Sequence, residues 1–284
     1  MSFLQAIVIG LLQGVTELFP VSSLGHSVLV PAWLGWDSLL HGQSAAESPF
    51  LAFVVGLHVA TAIALIVYFR RDWAEIVTGL GRSIRHRRVD TSTQRLGWLL
   101  IIATVPVGLF GLVFEHSLRT LFAKPLAAAI FLTINGLILG GGEWLRRRQR
   151  DRHELEVRSL EKLPVTDAVL IGGSEIGALF AGISRSGITM VTGLLRGLDH
   201  EDAARFSFLL ATPVILAAGL YKLPDLLGPL GNGIRPQVLV GSLCAAVAAY
   251  ASVRFLLRWF QTRTLTPFAI YCLVFGGLSI IHFR

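Results

Sequence analysis

Charged residues are scarce in this chain, at 15% of its 284 residues, whereas a soluble domain carries roughly 25%. Too few polar side chains remain to cover a water-facing surface, which argues against a soluble globular enzyme. Hydrophobic residues reach 53%, and this composition excludes a disordered chain. Only two cysteines occur, Cys244 and Cys272, both inside apolar runs, so a disulfide scaffold is excluded as well.

The chain does contain a series of long apolar segments. A helix that crosses a bilayer needs roughly 20 mostly apolar residues. Six segments meet this requirement and are predicted to be transmembrane helices: 49–69, 95–115, 126–145, 204–222, 236–257 and 265–282. We therefore predict a single membrane domain over residues 1–284, with its transmembrane helices in 49–145 and 204–282.

Two further apolar regions, 3–36 and 167–198, are each interrupted by a polar break, and we call them the first and second broken regions. The breaks are Pro20-Val-Ser-Ser-Leu-Gly25 and Gly182-Ile-Ser-Arg-Ser-Gly187. Irregular backbone at membrane depth is tolerated only where it is buried in protein or lines a wet cavity. Each region is therefore predicted to be a re-entrant helix–loop–helix hairpin.

The net charge of +7 arises from arginines and lysines that cluster in alternate connections between the predicted spans, around 70–95, 146–162 and 254–263. Membrane topology explains this distribution better than nucleic-acid binding does, so no nucleic-acid partner is expected. Basic connections usually lie on the cytoplasmic side. With six spans, the two hairpins then enter the membrane from opposite sides.

Opposite entry predicts an inverted repeat. A shift of 162 residues places Ser22 on Ser184 and Gly25 on Gly187, in agreement with that topology. The predicted fold is an all-α integral membrane protein with six transmembrane helices and two re-entrant hairpins in an inverted repeat. Such repeats usually place their binding site at the repeat interface near the midplane of the membrane.

The first break carries candidate nucleophiles beside a carboxylate. Gln13 and Glu17 are four residues apart and share one helix face. Ser23 and His26 begin the next helix, and Ser22 precedes them; Ser22 and Gln13 are candidate substrate-binding residues. A serine or histidine nucleophile needs a partner that activates or orients it, and Glu17 could serve as that partner.

The second break has the features of an anion site. Arg185 stands at the predicted start of a helix, where free N–H groups favour negative charge, and its planar guanidinium suits phosphate oxygens. Hydroxyl groups of Ser184, Ser186 and Thr189 add donors. Phosphate is the natural ligand, and such electrostatic stabilisation is a large part of phosphoryl-transfer catalysis.

Structural interpretations stay open for several of these side chains. Glu17 could pair with Arg185 only to hold the two hairpins together, and His26 could be a satisfied interior histidine. Ser22 and Ser23 could act only as helix N-caps. Structural roles are favoured elsewhere: His58 and Thr61 between helices, Glu143 snorkelling from a span end, and Asp199–Asp202 as a turn that starts a helix.

Two long motifs resemble those of a known family. Gln13-Gly-Val-Thr-Glu17-Leu-Phe-Pro-Val-Ser-Ser-Leu-Gly-His26 is similar to its (E/Q)xxxE segment with the PVSSxGH that follows. Gly182-Ile-Ser-Arg-Ser-Gly-Ile-Thr189 is similar to its PGxSRSxxT segment, and the segment 204–213 also matches. The family is undecaprenyl-diphosphate phosphatase, the bacitracin resistance protein family, and the likeness covers nearly the whole chain.

The resemblance implies a hydrolase of the bacterial inner membrane that removes the terminal phosphate of a C55 isoprenyl diphosphate, so that the lipid carrier of peptidoglycan synthesis is recycled. It implies that Glu17 is essential with Gln13 as its partner, that Ser23 or His26 is the nucleophile, and that Arg185, Ser184 and Thr189 bind the diphosphate. A site open to the periplasm and a divalent cation, Mg²⁺ or Ca²⁺, are also implied; the metal ligands are unknown. Expected partners are the polyprenyl diphosphate lipid and the membrane, with a homodimer left open.

This chain departs from the family pattern at three positions. Ala181 replaces the proline expected before Gly182, and Gln13 stands where glutamate is common, which puts a two-carboxylate metal site in doubt. Glu175 stands where glutamine is expected, and a shift of 162 relates it to Gln13. We expect Glu175 to restore the missing charge from the other hairpin.

A lipid-phosphate transporter or flippase is the alternative function, because inverted repeats with re-entrant hairpins are also transporter architecture. Release of inorganic phosphate discriminates the two classes, since a pure transporter releases none. An ion channel is disfavoured because the sequence shows no repeated filter motif.

Overall fold

Helices make up the regular structure of the computed structural model, which describes residues 1–36, 39, 49–122, 124–152, 156–228 and 231–284. The α-helices are α1 (Phe3–Thr16), α2 (Ser23–Trp33), α3 (Pro49–Tyr68), α4 (Arg70–His86), α5 (Ser92–Phe122), α6 (Pro125–Asp151), α7 (Val165–Ser174), α8 (Arg185–Leu195), α9 (His200–Leu227), α10 (Arg235–Phe260) and α11 (Thr266–His282). Two short 3₁₀ helices, Leu160–Lys162 and Glu175–Leu179, flank α7. No β-strand occurs in these ranges, so the all-α prediction is confirmed.

Five helices within the described ranges are long and apolar enough to cross a membrane. They are Pro49–Tyr68, Ser92–Gly111, Pro125–Asp151, His200–Tyr221 and Arg235–Phe260. Each coincides with a predicted span. The sixth predicted span, 265–282, is the apolar helix α11, whose 17 residues lie at the short limit of what a bilayer requires, roughly 17 to 25.

Both broken regions fold as two short helices separated by a turn, and their helices start in the same frame. The starts of α1 and α7, and both ends of α2 and α8, are related by the same shift of 162 residues. Each second helix has a serine N-cap: Ser22 Oγ accepts from Gly25 N at 3.2 Å, and Ser184 Oγ accepts from Gly187 N at 3.1 Å. The alignment predicted from few identities is thus matched by the helix bounds and the caps.

Small residues bring the first helix of each broken region onto the backbone of a long helix. In α1, Gly10 and Gly14 face the carbonyl oxygens of Gly241 and Ala245 in α10, and a Cβ at either glycine would overlap them. Gly172 of α7 lies in the same way against α5, at the carbonyl of Ala103. Close approach through small residues is characteristic of helix packing in membranes, where lipid removes the hydrophobic drive.

The basic connection after the first long helix forms α4, a helix that the sequence analysis does not predict. Ile76, Gly79 and Ser83 recur at a spacing of three to four residues and are buried. Ser83 Oγ accepts from the indole of Trp98 in α5 at 2.8 Å, and Asp72 pairs with Arg205 at the start of α9. The apolar stripe of α4 therefore packs on the bundle while its arginines face outward.

The expectation that Glu143 snorkels from a span end is wrong. Its side chain is buried, and its Oε1 accepts from Leu265 N at 2.8 Å and lies 2.5 Å from His200 Nε2. Arg146 Nη1 lies 2.9 Å from His200 Nδ1, and a guanidinium only donates, so Nδ1 accepts and Nε2 carries the proton. Glu143 therefore joins α6 to α9 and α11, and burial without these partners would be costly.

Replacing Gly172 by alanine is expected to destabilise the fold, because the new methyl group overlaps the Ala103 carbonyl and separates α7 from α5. Overpacking of this kind costs about 1–3 kcal/mol. The midpoint of thermal unfolding in detergent should fall. Gly141→Ala is the matched control, since nothing lies within 4 Å of a Cβ there. Equal midpoints for the two variants would contradict the packing role of Gly172.

Candidate active site

Glu17 lies at the centre of a buried polar cluster, immediately after α1, with 7% of its surface exposed. Its Oε2 accepts from Ser23 Oγ at 2.6 Å and from Gln13 Nε2 at 3.0 Å. Gln13 and Glu17 share a helix face, as their spacing predicts, and α2 starts with Ser23 pointing back at them. A carboxylate that accepts the hydrogen bond of a serine hydroxyl is arranged to take its proton.

Arg185 joins the two broken regions through this carboxylate. Its Nη2 donates to Glu17 Oε1 at 3.3 Å, and its Nη1 donates to the backbone oxygen of Ser207 in α9 at 3.3 Å. Glu175 Oε1 lies 3.6 Å from Nη1 on the other side. Glu17 and Arg185 thus pair, as in the structural interpretation that the sequence leaves open, and one guanidinium is shared by two carboxylates.

Glu175 enters the cluster from the second broken region. It is 1% exposed, and within the described part of the chain neither carboxylate oxygen makes a hydrogen bond. The nearby guanidinium of Arg185 supplies its opposite charge. Gln13 and Glu175, which the shift of 162 relates, therefore flank the Glu17–Arg185 pair from its two ends, and a second carboxylate is present at the site as expected.

His58 belongs to the cluster as well, although sequence reasoning favoured an interhelical structural role for it. Its Nε2 lies 3.4 Å from Glu17 Oε2, and its Nδ1 lies 2.9 Å from the backbone oxygen of Val54. The signal that could have indicated it is an imidazole within the first long span, because ionisable groups at membrane depth are expensive and usually functional.

The hydroxyl groups of the second break hold the start of α8 in place. Ser184 Oγ and Ser186 Oγ lie 3.0 Å apart, and Ser186 Oγ donates to the Phe19 backbone oxygen at 3.2 Å. Thr189 Oγ1 lies 2.7 Å from the hydroxyl of Ser207 and donates to the Arg185 backbone oxygen at 2.8 Å. All three are buried. Phosphate binding by these groups stays a prediction, and the bonds observed here fix Arg185 in position.

His26 faces away from Glu17. Its Nδ1 lies 2.7 Å from the Ser22 backbone oxygen and its Nε2 lies 2.7 Å from the Tyr271 hydroxyl, while its ring stacks with Tyr271 and Phe275. A carbonyl only accepts, so Nδ1 carries the proton and Nε2 accepts from the tyrosine. Both ring nitrogens are therefore engaged, in keeping with the alternative of a satisfied interior histidine.

Ser22 locks the two breaks together. Its Oγ accepts from Gly25 N within its own helix start and from Gly182 N of the other break, each at 3.2 Å. Its φ of 71° is unusual for a residue with a side chain. Gly182 has a φ of 116°, and a Cβ there would overlap the backbone of α6. Ser22 thus acts as a cap and a tie between the breaks.

Asn135 of α6 completes this connection. Its Nδ2 donates to the Pro20 backbone oxygen at 3.0 Å, and its Oδ1 accepts from Ser184 N at 2.9 Å. The side chain is fully buried. One amide therefore satisfies one backbone group from each break, and this geometry supports the positions of Glu17 and Arg185 alike. No motif in the sequence indicated Asn135.

Comparison with known families accounts for nearly all of the chain. The model of the bacitracin resistance protein BacA family matches residues 6–278. This chain belongs to the BacA family. The resemblance inferred from the two motifs is thus confirmed, and Gln13, Glu17 and Ser23 of the first motif meet Arg185 of the second.

Curated relatives extend this finding over full length. An undecaprenyl-diphosphatase of Mycolicibacterium paratuberculosis is 57% identical over 99% of this chain and 97% of its own length. Undecaprenyl-diphosphatase 2 of Frankia alni is 55% identical over 100% of this chain and 98% of its own length. Undecaprenyl-diphosphatase 2 of Chromobacterium violaceum is 44% identical over 99% of both chains.

Replacing Asn135 by alanine should lower the stability of the fold, because the hydrogen bonds that join the two breaks are lost. It leaves the buried Ser184 N–H without its partner and the Pro20 carbonyl with only the weak Cys272 thiol donor, at a cost of about 1–3 kcal/mol. The thermal midpoint in detergent should fall well below that of Thr133→Val, a control on the same helix whose hydroxyl donates to the Ala129 carbonyl within α6. An unchanged midpoint for Asn135→Ala would contradict the stabilising role of the hydrogen bonds that Asn135 makes to the two breaks.

Proposed function

We propose that this chain is an undecaprenyl-diphosphatase, which hydrolyses the terminal phosphate of undecaprenyl diphosphate to give the monophosphate lipid carrier. One observation carries the proposal: the Ser23 hydroxyl donates to Glu17 at 2.6 Å while Arg185 binds the other oxygen of the same carboxylate at 3.3 Å. A nucleophile, its base and a cation for phosphate oxygens are thus in contact. The relatives that share this chain's full length carry the same activity in their names.

The mechanism follows from the three side chains. Ser23 Oγ attacks the distal phosphorus, its proton passes to Glu17, and the anhydride bond breaks with undecaprenyl phosphate as the leaving group. Water then hydrolyses the phosphoserine and releases inorganic phosphate. Arg185 stabilises the negative charge on the phosphoryl oxygens. Electrostatic stabilisation by fixed cations is usually the largest contribution to catalysis in phosphoryl transfer. The geometry favours Ser23 over His26, because His26 faces Tyr271.

A cation requirement, Mg²⁺ or Ca²⁺, stays part of the proposal. The described residues contain no group of three His, Cys, Asp or Glu side chains that could hold a metal ion. Glu17 and Glu175 already share Arg185. These residues do not fit a metal cage built by protein alone.

The finer membrane arrangement is also proposed. Six spans with two re-entrant hairpins in an inverted repeat are supported by the shared helix frame of the two broken regions and by the alternating basic connections. The protein would lie in the bacterial inner membrane with its site open to the periplasm. A homodimer stays a prediction for the purified protein.

The first test is phosphate release from undecaprenyl diphosphate in detergent, with Mg²⁺ or EDTA. Wild type should release phosphate, and Arg185→Ala should lose about 100-fold or more in kcat, because it removes the phosphate-facing charge. Arg85→Ala, an exposed arginine of α4, is the matched control and should keep normal activity. If well-folded wild type releases no phosphate, the transport alternative is favoured. A loss of phosphate release in EDTA would show that a divalent cation is required.

A second test separates the candidate nucleophiles. Ser23→Ala should reduce turnover at least about a thousandfold, whereas His26→Gln should keep most of the activity, since its ring contacts Tyr271 rather than Glu17. The two rates are measured in the same phosphate-release assay after size-exclusion chromatography confirms folding. The reverse pattern would make His26 the nucleophile.

A further inference from the structure

The imidazole of His58 is the ionisable group that α3 brings to the site. This helix contains no Asp, Glu, Lys or Arg. The side chain of His58 is 28% exposed, compared with 6% for Glu17, so the imidazole lies between the buried carboxylate and the outside of the cluster. The charged groups that face it are Glu17 of the first broken region and Arg185 of the second.

Hydrogen bonding assigns different tasks to the two ring nitrogens of His58. Nδ1 lies 2.9 Å from the Val54 carbonyl, which only accepts, so Nδ1 carries a hydrogen in every protonation state. Nε2 is therefore the nitrogen that gains or loses a proton. It lies 3.4 Å from Glu17 Oε2.

The two carboxylate oxygens of Glu17 also have different partners. Oε1 binds the guanidinium of Arg185, while Oε2 receives the Ser23 hydroxyl at 2.6 Å and faces His58. The proton that leaves Ser23 thus arrives at the oxygen that also faces a nitrogen able to accept it. Ser23 is half-buried, and the buried carboxylate of Glu17 lies between its hydroxyl and the partly exposed imidazole of His58.

We infer that His58 is a positioning residue that takes up, through Glu17, the proton released by Ser23 during phosphoryl transfer. The imidazole of His58 starts neutral in this step, with its hydrogen on Nδ1. The Ser23 O–H bond breaks as the Oγ–P bond forms and the anhydride P–O bond breaks; the proton binds Glu17 Oε2 and then moves to His58 Nε2. Glu17 returns to its anionic form beside Arg185, and no oxidant or co-reactant is needed. The inference rests on the proposed function.

Replacement of His58 by glutamine tests this step. Glutamine retains a polar group but cannot take up a proton, so kcat should fall about 100-fold, the lower limit for general acid–base assistance, while KM stays within about twofold. Turnover is also measured across a range of pH, because an imidazole that accepts a proton during the reaction contributes to the acid limb of the profile. His58→Gln should lose the His58 contribution and show a shallower acid limb.

The matched control is His86→Gln, an exposed histidine in the last turn of α4. It should keep the rate and the pH profile of wild type. A second variant, His58→Ala, should regain activity when imidazole is added, because free imidazole can accept the proton from Glu17 in the vacated space. Size-exclusion chromatography and the thermal midpoint confirm that each variant is folded.

The outcomes separate the two proposals. If wild type releases phosphate but folded His58→Gln keeps its kcat and pH profile, the inference about His58 is overturned and the proposed function stands. Failure of imidazole to restore His58→Ala, with a normal KM, would also overturn it. If wild type releases no phosphate, the proposed function itself fails.

Discussion

The ion pair between Glu17 and Arg185 is the interaction on which the rest of the site depends. The two residues come from different broken regions; Glu17 is buried and the side chain of Arg185 is only 14% exposed, so either charge without the other would be unfavourable. The end of α1 and the start of α8 must therefore be held at a fixed distance from each other. Asn135 and Ser22 do this by binding one break to the other, and Ser207 of α9 fixes the guanidinium from the side.

Negatively charged side chains outnumber the arginine at this ion pair. Two carboxylates, Glu17 and Glu175, share one guanidinium, and His58 lies at the outer edge of Glu17. In the proposed reaction, an arriving diphosphate would compete with these carboxylates for Arg185. A rigid arrangement of donors that is set before the substrate arrives needs little reorganisation during the reaction, which is the usual source of electrostatic catalysis.

Local sequence patterns predicted the parts of this site that depend on one helix or one turn. Gln13 and Glu17 follow from a spacing of four, and Ser184 with Arg185 from a helix start. His58, Asn135 and Ser207 could not be predicted in this way, because their helices reach the cluster through tertiary packing that no spacing encodes. The same reason explains Glu143, whose partners come from α9 and α11, and α4, whose apolar stripe is short and lies within a strongly basic connection.

The direct bonds between the two breaks also restrict how the domain can move. Gly25 and Gly182 approach so closely that a Cβ at Gly25 would contact the other backbone, and Ser22 bonds across the same gap. An alternating-access movement, in which one half of the chain rotates against the other, would break the hydrogen bond and the close contact between the two turns. The two turns are thus bonded directly to each other, which favours a stationary site over an alternating-access movement.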